Sequence, residues 1–167
     1  WKKEGYKKRI YSFLDIYFKH EHSSKRLAKI RKWKVPKFKP EVIFFKRKNG
    51  VKSESRKKFK NLQAAVNFLE NLGYEKYLNI EKKKGLMFTN KLKNKVYVLE
   101  NITGLGWSGE VEIAKDQKQR LKEEIEYLKS LGVKSFTLSS MLEIMEQKLG
   151  MKKLKKPKLY RYNILKI

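Results

Sequence analysis

The segment EVIFFKRKNGVKSESRKKFK, residues 41–60, has the pattern of a β-hairpin. Residues 41–47 contain Val, Ile and Phe side chains, which favour a strand. Pro36 and Pro40 precede this run, and Asn49-Gly50 after it is a dipeptide that favours the tight turn of a hairpin. Residues 51–60 are therefore predicted to be the return strand.

The same kinds of signal predict the remaining elements. Apolar residues at helical spacing over 61–72, between a capping Asn61 and Gly73, predict a first helix. Similar spacing predicts helices over 115–131 and 140–149. Strands are predicted over residues 9–18, 74–80, 82–89, 95–102, 109–114 and 160–167. We therefore expect an α+β fold: an antiparallel β-barrel or partly open barrel with two or three helices outside it.

The predicted domain covers residues 1–150, with strands up to 114 and helices from 115 to 150, and a basic tail follows over 151–167. The chain has 43 Lys and Arg against 17 Asp and Glu, a net charge of +26. The net charge is +18 over residues 1–114, +1 over 115–150 and +7 over 151–167. Self-repulsion of this size works against a compact state, so a polyanionic partner is expected.

Two classes of site are excluded or disfavoured by composition. The chain has no Cys, which excludes disulfides, thiolate metal sites and cysteine nucleophiles. His20 and His22 flank Glu21 in a predicted loop, and a metal site there would need further ligands, so surface histidines are expected.

No segment is long and apolar enough for a membrane span. We expect an intracellular protein, in the cytoplasm or an organellar matrix.

Alternating side chains place charged residues together on strand faces. The sets at this spacing are Lys29 and Arg31; Phe44 and Lys46; Arg56, Lys58 and Lys60; Lys82 and Lys84; and Glu110 and Glu112. On an open sheet such a face is simply solvated. In a closed barrel it points inward, and cations with a few carboxylates then suit a polyphosphate with its metal ion.

An ordered set of motifs runs through these strands. It begins with Asp15-Ile16-Tyr17-Phe18 and ends with Gly104-Leu105-Gly106 leading into Glu110-Val111-Glu112; between them lie Lys29-Ile30-Arg31, Phe44-Phe45-Lys46, Ser55-Arg56, Leu72-Gly73-Tyr74 and Lys82-Lys83-Lys84. Over roughly residues 6–149, their order and spacing resemble the CYTH domain, or triphosphate tunnel fold. That family includes class IV adenylyl cyclases, thiamine triphosphatases and inorganic triphosphatases.

The resemblance implies a tunnel of about eight strands in which inward Arg and Lys hold a triphosphate. The implied phosphate-binding residues are Lys29, Arg31, Lys46, Arg56, Lys82 and Lys84. Glu110 and Glu112 are the implied ligands of Mg²⁺ or Mn²⁺, which would polarise the phosphoryl group under attack. No catalytic residue is assigned.

This sequence departs from the family pattern at several carboxylates. The family's first strand carries Glu-x-Glu-x-Lys, and here Glu4 is the only carboxylate before Asp15, so that motif is absent or lies upstream of Trp1. Lys58 and Lys60 stand where carboxylates are usual, and Glu100 replaces an Asp. An incomplete barrel would leave an open edge, which we expect the tail strand, a neighbouring protein or RNA to cover.

The leading hypothesis is a non-catalytic, RNA-binding CYTH-like protein within a ribosome or another ribonucleoprotein, with no cofactor requirement. Trp33, Phe38, Tyr160 and Tyr162 could stack on bases or serve as core and tail anchors. The residues expected to bind RNA are Lys58, Lys60, Lys152, Lys153, Lys155, Lys156, Lys158 and Arg161.

The alternative is a Mg²⁺- or Mn²⁺-dependent triphosphatase or adenylyl cyclase acting on ATP, inorganic triphosphate or thiamine triphosphate. Binding to anionic lipid ranks last, because no strongly amphipathic basic helix is present.

Overall fold

The computed structural model describes residues 5–48, 51–90, 95–112, 118–130, 132, 135–137, 140–151 and 163–166. The strands are β1 (Lys7–His20), β2 (Ser23–Val35), β3 (Glu41–Lys48), β4 (Val51–Lys58), β5 (Tyr74–Asn90), β6 (Lys95–Ile102), β7 (Gly106–Glu112), β8 (Ser135–Thr137) and β9 (Asn163–Lys166). The helices are α1 (Leu62–Glu70), α2 (Lys118–Ser130) and α3 (Met141–Lys148). The predicted α+β class is confirmed.

The chain divides into two compact units. The first unit is Tyr11–Lys83, and the second unit is Trp1–Ile10 with Lys84–Ile167. In the first unit the strand order is β4-β3-β2-β1-β5, and in the second it is β5-β6-β7-β9-β8. Every strand pair with a described register is antiparallel. Within each unit the described strands follow one another in a linear order. The prediction of one domain over residues 1–150 stays a prediction.

One face of the first unit's strands packs against α1. Alternate strand residues and the apolar side of the helix form a buried cluster: Ile16, Phe18, Ala28, Ile30, Val42, Ala65 and Leu69. The helix begins as predicted, because the side chain of Asn61 accepts a hydrogen bond of 2.9 Å from the backbone N–H of Ala64. Gly73 after the helix has a φ of 75°, a conformation that glycine adopts without strain.

β2 lies between β1 and β3. The sequence places Lys29 and Arg31 on one strand face but gives that strand no bounds, and the structure shows it as Ser23–Val35. A tight turn joins His20 to Ser23, as expected for the histidine loop. The sequence pattern does not give the bounds of this strand, because its apolar residues are small or isolated and stand between cations.

β5 corrects one prediction. Residues 74–80 and 82–89 were expected to be two strands, and the structure has a single strand, Tyr74–Asn90. Glu81 at the expected break is not a turn-forming residue, so the chain continues extended. The side chain of Ser12 on β1 donates to the carbonyl of Lys82 at 3.0 Å, on the far side of that expected break.

The β6–β7 hairpin belongs to the second unit. Its pairing runs from Val96 opposite Glu112 to Ile102 opposite Gly106. Gly104 and Gly106 have φ values of 78° and 86° at the turn. β7 starts three residues earlier than predicted, because Trp107 and Ser108 already pair with β6.

Helix α2 of the second unit packs on the face of β6–β7 opposite Glu100 and Glu110. Tyr97, Val111 and Leu128 of α2 form a buried cluster, and the hydroxyl of Tyr97 donates to the carboxylate of Glu124. The predicted capping box of α3 is confirmed: Ser140 Oγ accepts from the N–H of Glu143, whose carboxylate accepts from the N–H of Ser140.

The tail contributes a strand, as predicted. β9 pairs with β7 and with β8, a short strand that the sequence did not predict. The predicted turn at Asn49-Gly50 lies outside the described residues. No helix among the described residues has the length and hydropathy needed to cross a membrane.

Candidate anion-binding site

The face of the first unit's strands that lies opposite α1 carries the charged residues. Directly paired residues of an antiparallel sheet point to the same side. Asp15 pairs with Arg31, Arg31 pairs with Glu41, and Ile43 pairs with Arg56. The backbone register therefore brings Asp15, Arg31, Glu41 and Arg56, from four consecutive strands, onto one surface.

Asp15 is the centre of this surface. Its residue surface is only 1% exposed. Lys29 Nζ lies 2.7 Å from Asp15 Oδ2, and Arg31 donates from Nε to Oδ1 and from its Nη2 to Oδ2, both at 2.8 Å. The Arg31 contact is the bidentate fork that guanidinium and carboxylate groups form best. Asp15, Lys29, Arg31 and Lys82 are called the Asp15 cluster below.

Burial and ion pairing act against each other in this cluster. Burial by itself would raise the pKa of Asp15, but Lys29 and Arg31 outweigh it and hold that pKa well below its usual range, with a further contribution from Lys82. Burial lowers the pKa of Lys29 to about 8, although Asp15 opposes the change. The pKa of Arg31 is raised, because its bond to Asp15 outweighs the effect of burial.

Aromatic rings surround the cations. The guanidinium carbon of Arg31 lies 3.8 Å from the ring centroid of Phe13, and Lys82 Nζ lies 5.1 Å from the same centroid. Lys29 Nζ lies 5.4 Å from the ring of Tyr17. These contacts stabilise the cations, and the rings exclude water from the ion pairs, which strengthens the electrostatic interactions.

Glu41 forms a second ion-pair centre beside the cluster. It is buried, and its Oε1 accepts from Trp33 Nε1 at 3.2 Å and from Arg56 Nη1 at 3.3 Å. Arg56 also donates to Glu54 at 2.8 Å. Arg56 is half-exposed, so this end of the surface is open to a ligand from solvent.

The structure brings together some of the predicted phosphate-binding residues. Lys29, Arg31 and Lys82 interact with Asp15, and the register puts Arg56 on the same face as Arg31. Lys84 is exposed and belongs to the second unit. The side chain of Lys46 lies outside the described residues.

The predicted metal ligands lie in the second unit. Glu110 on β7 is half-buried and pairs with Val98, and Glu112 pairs with Val96, although its side chain lies outside the described residues. Glu100 is buried and pairs with Ser108, so the register puts it on the same face as Glu110. In the part of the chain that the structure describes, no three His, Asp or Glu side chains form a metal-binding group. These residues offer part of a ligand set at most.

Of the predicted RNA-binding residues, Lys58 and Lys60 are exposed. Lys58 pairs with Glu41 and so lies on the charged face. The predicted tail residues, 152–161, lie outside the described part of the chain.

Sequence reasoning did not assign the carboxylates that organise the site. The sequence identifies Asp15 only as part of a motif and Glu41 only as part of a predicted strand. One signal was available for Asp15: a lone carboxylate at an alternate position in an otherwise apolar strand needs a cationic partner when buried. The identity of that partner depends on strand register.

No family model and no curated protein matches this chain. Solved structures do match it. A protein from Pyrococcus horikoshii OT3 shares 20% identity at a TM-score of 0.64, over 87% of this chain and 90% of that one. A conserved hypothetical protein from Pyrococcus furiosus shares 20% identity at a TM-score of 0.54, over 87% and 77% of the two chains.

A protein from Vibrio parahaemolyticus named as a "putative adenylate cyclase" also matches. It shares 17% identity at a TM-score of 0.54, over 78% of this chain and 75% of that one. At these identities, the comparisons show that the chain has the same fold as these three proteins.

Proposed function

We propose that this protein binds a triphosphate on the charged face of β1–β4, on a fold of the CYTH type. The observation that carries the proposal is the Asp15 cluster, in which Lys29 and Arg31 are held by one buried carboxylate beside Lys82. The ordered motifs that resemble the CYTH domain support it, as does the fold shared with the Vibrio parahaemolyticus protein.

The cations of this face retain donors for a ligand. A guanidinium has five N–H donors, and Asp15 takes two of those of Arg31. An ammonium has three donors, and Asp15 takes one of those of Lys29. Because the carboxylate fixes both cations, little side-chain entropy is lost when a phosphate arrives.

The charge on this face suits a triphosphate accompanied by a cation. Lys29, Arg31, Arg56 and Lys82 are balanced in part by Asp15, Glu41 and Glu54. The positive charge that remains on this face is too small to neutralise a triphosphate by itself. Mg²⁺ or Mn²⁺ bound with the ligand would supply the remaining charge and would polarise a phosphoryl oxygen.

The reaction class that follows is phosphoryl or nucleotidyl transfer from a triphosphate, by hydrolysis or cyclisation. In it, Lys29 and Arg31 would orient the phosphates and stabilise the charge that develops on them. The ribonucleoprotein hypothesis draws no support from the fold comparisons, so triphosphate binding takes first place.

Titration calorimetry with inorganic tripolyphosphate, ATP and thiamine triphosphate, each with and without Mg²⁺, tests the proposal. We expect each triphosphate to bind more tightly than inorganic phosphate. Arg56→Gln should weaken binding about tenfold or more, because one charge-assisted hydrogen bond is lost. Arg31→Lys, which keeps the charge and removes the fork, should also weaken it.

Lys76→Gln is the matched control, because Lys76 is an exposed cation on β5 of the same unit. Equal weakening in Lys76→Gln and Arg56→Gln would contradict the proposal, because binding would then follow net charge. Triphosphates that bind no better than phosphate would contradict it as well. Phosphate and cyclic-nucleotide release assays on the wild type would then distinguish hydrolysis from cyclisation.

A further inference from the structure

The connection from β2 to β3 presents an aromatic ring to solvent. It runs through Pro36, Lys37, Phe38, Lys39 and Pro40, directly after the last residues of β2, Trp33, Lys34 and Val35. Phe38 is 59% exposed and Val35 is 50% exposed. A large apolar side chain so far out of the core contributes little to folding, so its exposure needs another explanation.

The ring of Phe38 is supported from behind. Trp33 and Phe38 make an edge-to-face contact with their centroids 5.7 Å apart, and Trp33 contacts Phe13 in the same way at 5.1 Å. The indole N–H of Trp33 is bonded to the buried carboxylate of Glu41. Phe38 is therefore backed by a fixed ring while most of its own surface faces solvent.

Exposed cations flank this ring in the chain. Lys34 pairs with Glu81. Lys37 and Lys39 stand on either side of Phe38 and are both exposed. No carboxylate within the described residues forms an ion pair with either of them. The loop thus offers two uncompensated positive charges around a ring, in contrast to the compensated cations of the Asp15 cluster.

We propose that this loop binds single-stranded nucleic acid, with an unpaired base stacked on Phe38 and the neighbouring phosphates held by Lys37 and Lys39. Aromatic rings between cations suit single strands, because every base has a face to stack and every nucleotide carries a phosphate. A duplex covers the faces of its bases and leaves only the phosphates. The proposal is independent of triphosphate binding, and it gives part of the net charge a role outside the Asp15 cluster.

Fluorescence anisotropy with a short labelled oligouridine tests it, with the matching deoxy-oligonucleotide to compare RNA with DNA. We expect wild-type binding that weakens with salt. Phe38→Ala should weaken it about tenfold, and Phe38→Trp, which keeps a stacking ring, should restore it. Replacing Lys37 and Lys39 together with Gln should weaken binding and reduce the salt slope by about 1.4, the value for two phosphate contacts on a single strand.

Lys76→Gln again serves as the control for a lost surface charge, and its salt slope should fall by less. Phe38 is exposed, so its variants should keep the circular dichroism spectrum of the wild type. Absence of salt-sensitive binding, wild-type affinity in Phe38→Ala, or equal affinity for a hairpin duplex would each overturn the proposal.

Tripolyphosphate titration of the same variants separates the two proposals. Phe38→Ala should bind tripolyphosphate like the wild type, whereas Arg56→Gln should not. A loss of tripolyphosphate binding in Phe38→Ala would overturn the assignment of the loop as a separate site. A wild type that binds the oligonucleotide but no triphosphate would overturn the proposed function and leave this inference standing.

Discussion

The first unit contains two groups of cations that the sequence does not distinguish. Lys29 is buried and Arg31 is largely buried, and both bind one carboxylate and lie near aromatic rings. Lys37 and Lys39 follow Arg31 by six and eight positions in the chain. Both are exposed, and their loop contains no carboxylate. The first group is fixed in place and half neutralised by Asp15, whereas the second is exposed to solvent and screened by salt. The net charge includes both groups equally. It therefore predicts an anionic partner but does not show which cations bind that partner.

The most sensitive test of this contrast is Asp15→Asn. The substitution leaves the buried Lys29 and the largely buried Arg31 without their counter-charge, so we expect the free energy of unfolding to fall by about 3–5 kcal/mol. Urea denaturation followed by circular dichroism measures it. Glu54→Gln, which removes a carboxylate from the exposed end of the same face, should cost far less. A small loss in Asp15→Asn would show that the buried cluster behaves like a surface ion pair.

Low pH should remove the contribution that the ionised Asp15 makes to the free energy of unfolding. The pKa of Asp15 is depressed in the folded protein, so at low pH the unfolded chain holds a proton there that the folded chain does not. This stabilisation is complete above about pH 4 and is lost as the pH falls. The difference in unfolding free energy between the wild type and Asp15→Asn should therefore shrink in acid. A difference that is constant with pH would contradict the depressed pKa.

Trp33→Phe tests the link between the two groups. It removes one of the hydrogen bonds to the buried Glu41, so we expect a loss of about 1–3 kcal/mol in the free energy of unfolding. Trp107→Phe is the control for the same chemical change, because Trp107 is well exposed. If the two variants lose the same stability, the indole bond to Glu41 does not contribute.

Lys34→Gln should have the smallest effect. The pair of Lys34 with Glu81 is exposed, so its loss should change the free energy of unfolding by less than about 1 kcal/mol, and salt should reduce the change further. The large loss in Asp15→Asn should persist at high salt. If salt reduced both losses alike, burial would not be what distinguishes the ion pairs of Asp15 from the exposed pair of Lys34 with Glu81.

The parts of the fold that depend on local chemistry could be predicted from the sequence. Asn61, Gly73 and the Ser140–Glu143 box mark helix ends through bonds made within a few residues, and all three behave as expected. The sequence predicts two strands divided at Glu81, whereas β5 runs uninterrupted through that residue. The strand β8, with only three residues, has too little pattern to be recognised.

The site depends on register, which sequence alone specifies weakly. The sequence places Lys29 and Arg31 together, because their spacing puts them on one face whatever the strand pairs with. Their bonds to Asp15 require β1 and β2 to be aligned so that Asp15 lies opposite Arg31. A shift of one residue would turn Asp15 to the side packed against α1, so the carboxylate partner could be identified only from the structure.

The ion pairs that Asp15 forms with Lys29 and Arg31 also have a consequence for how this sequence can evolve. Loss of Asp15 leaves the buried Lys29 and the largely buried Arg31 without a counter-charge, and loss of either cation removes one of the two partners of the buried carboxylate. Replacing the group by apolar residues would therefore require several changes at once, with unstable intermediates between them. Lineages that descend from this sequence should keep the three residues together or lose them together.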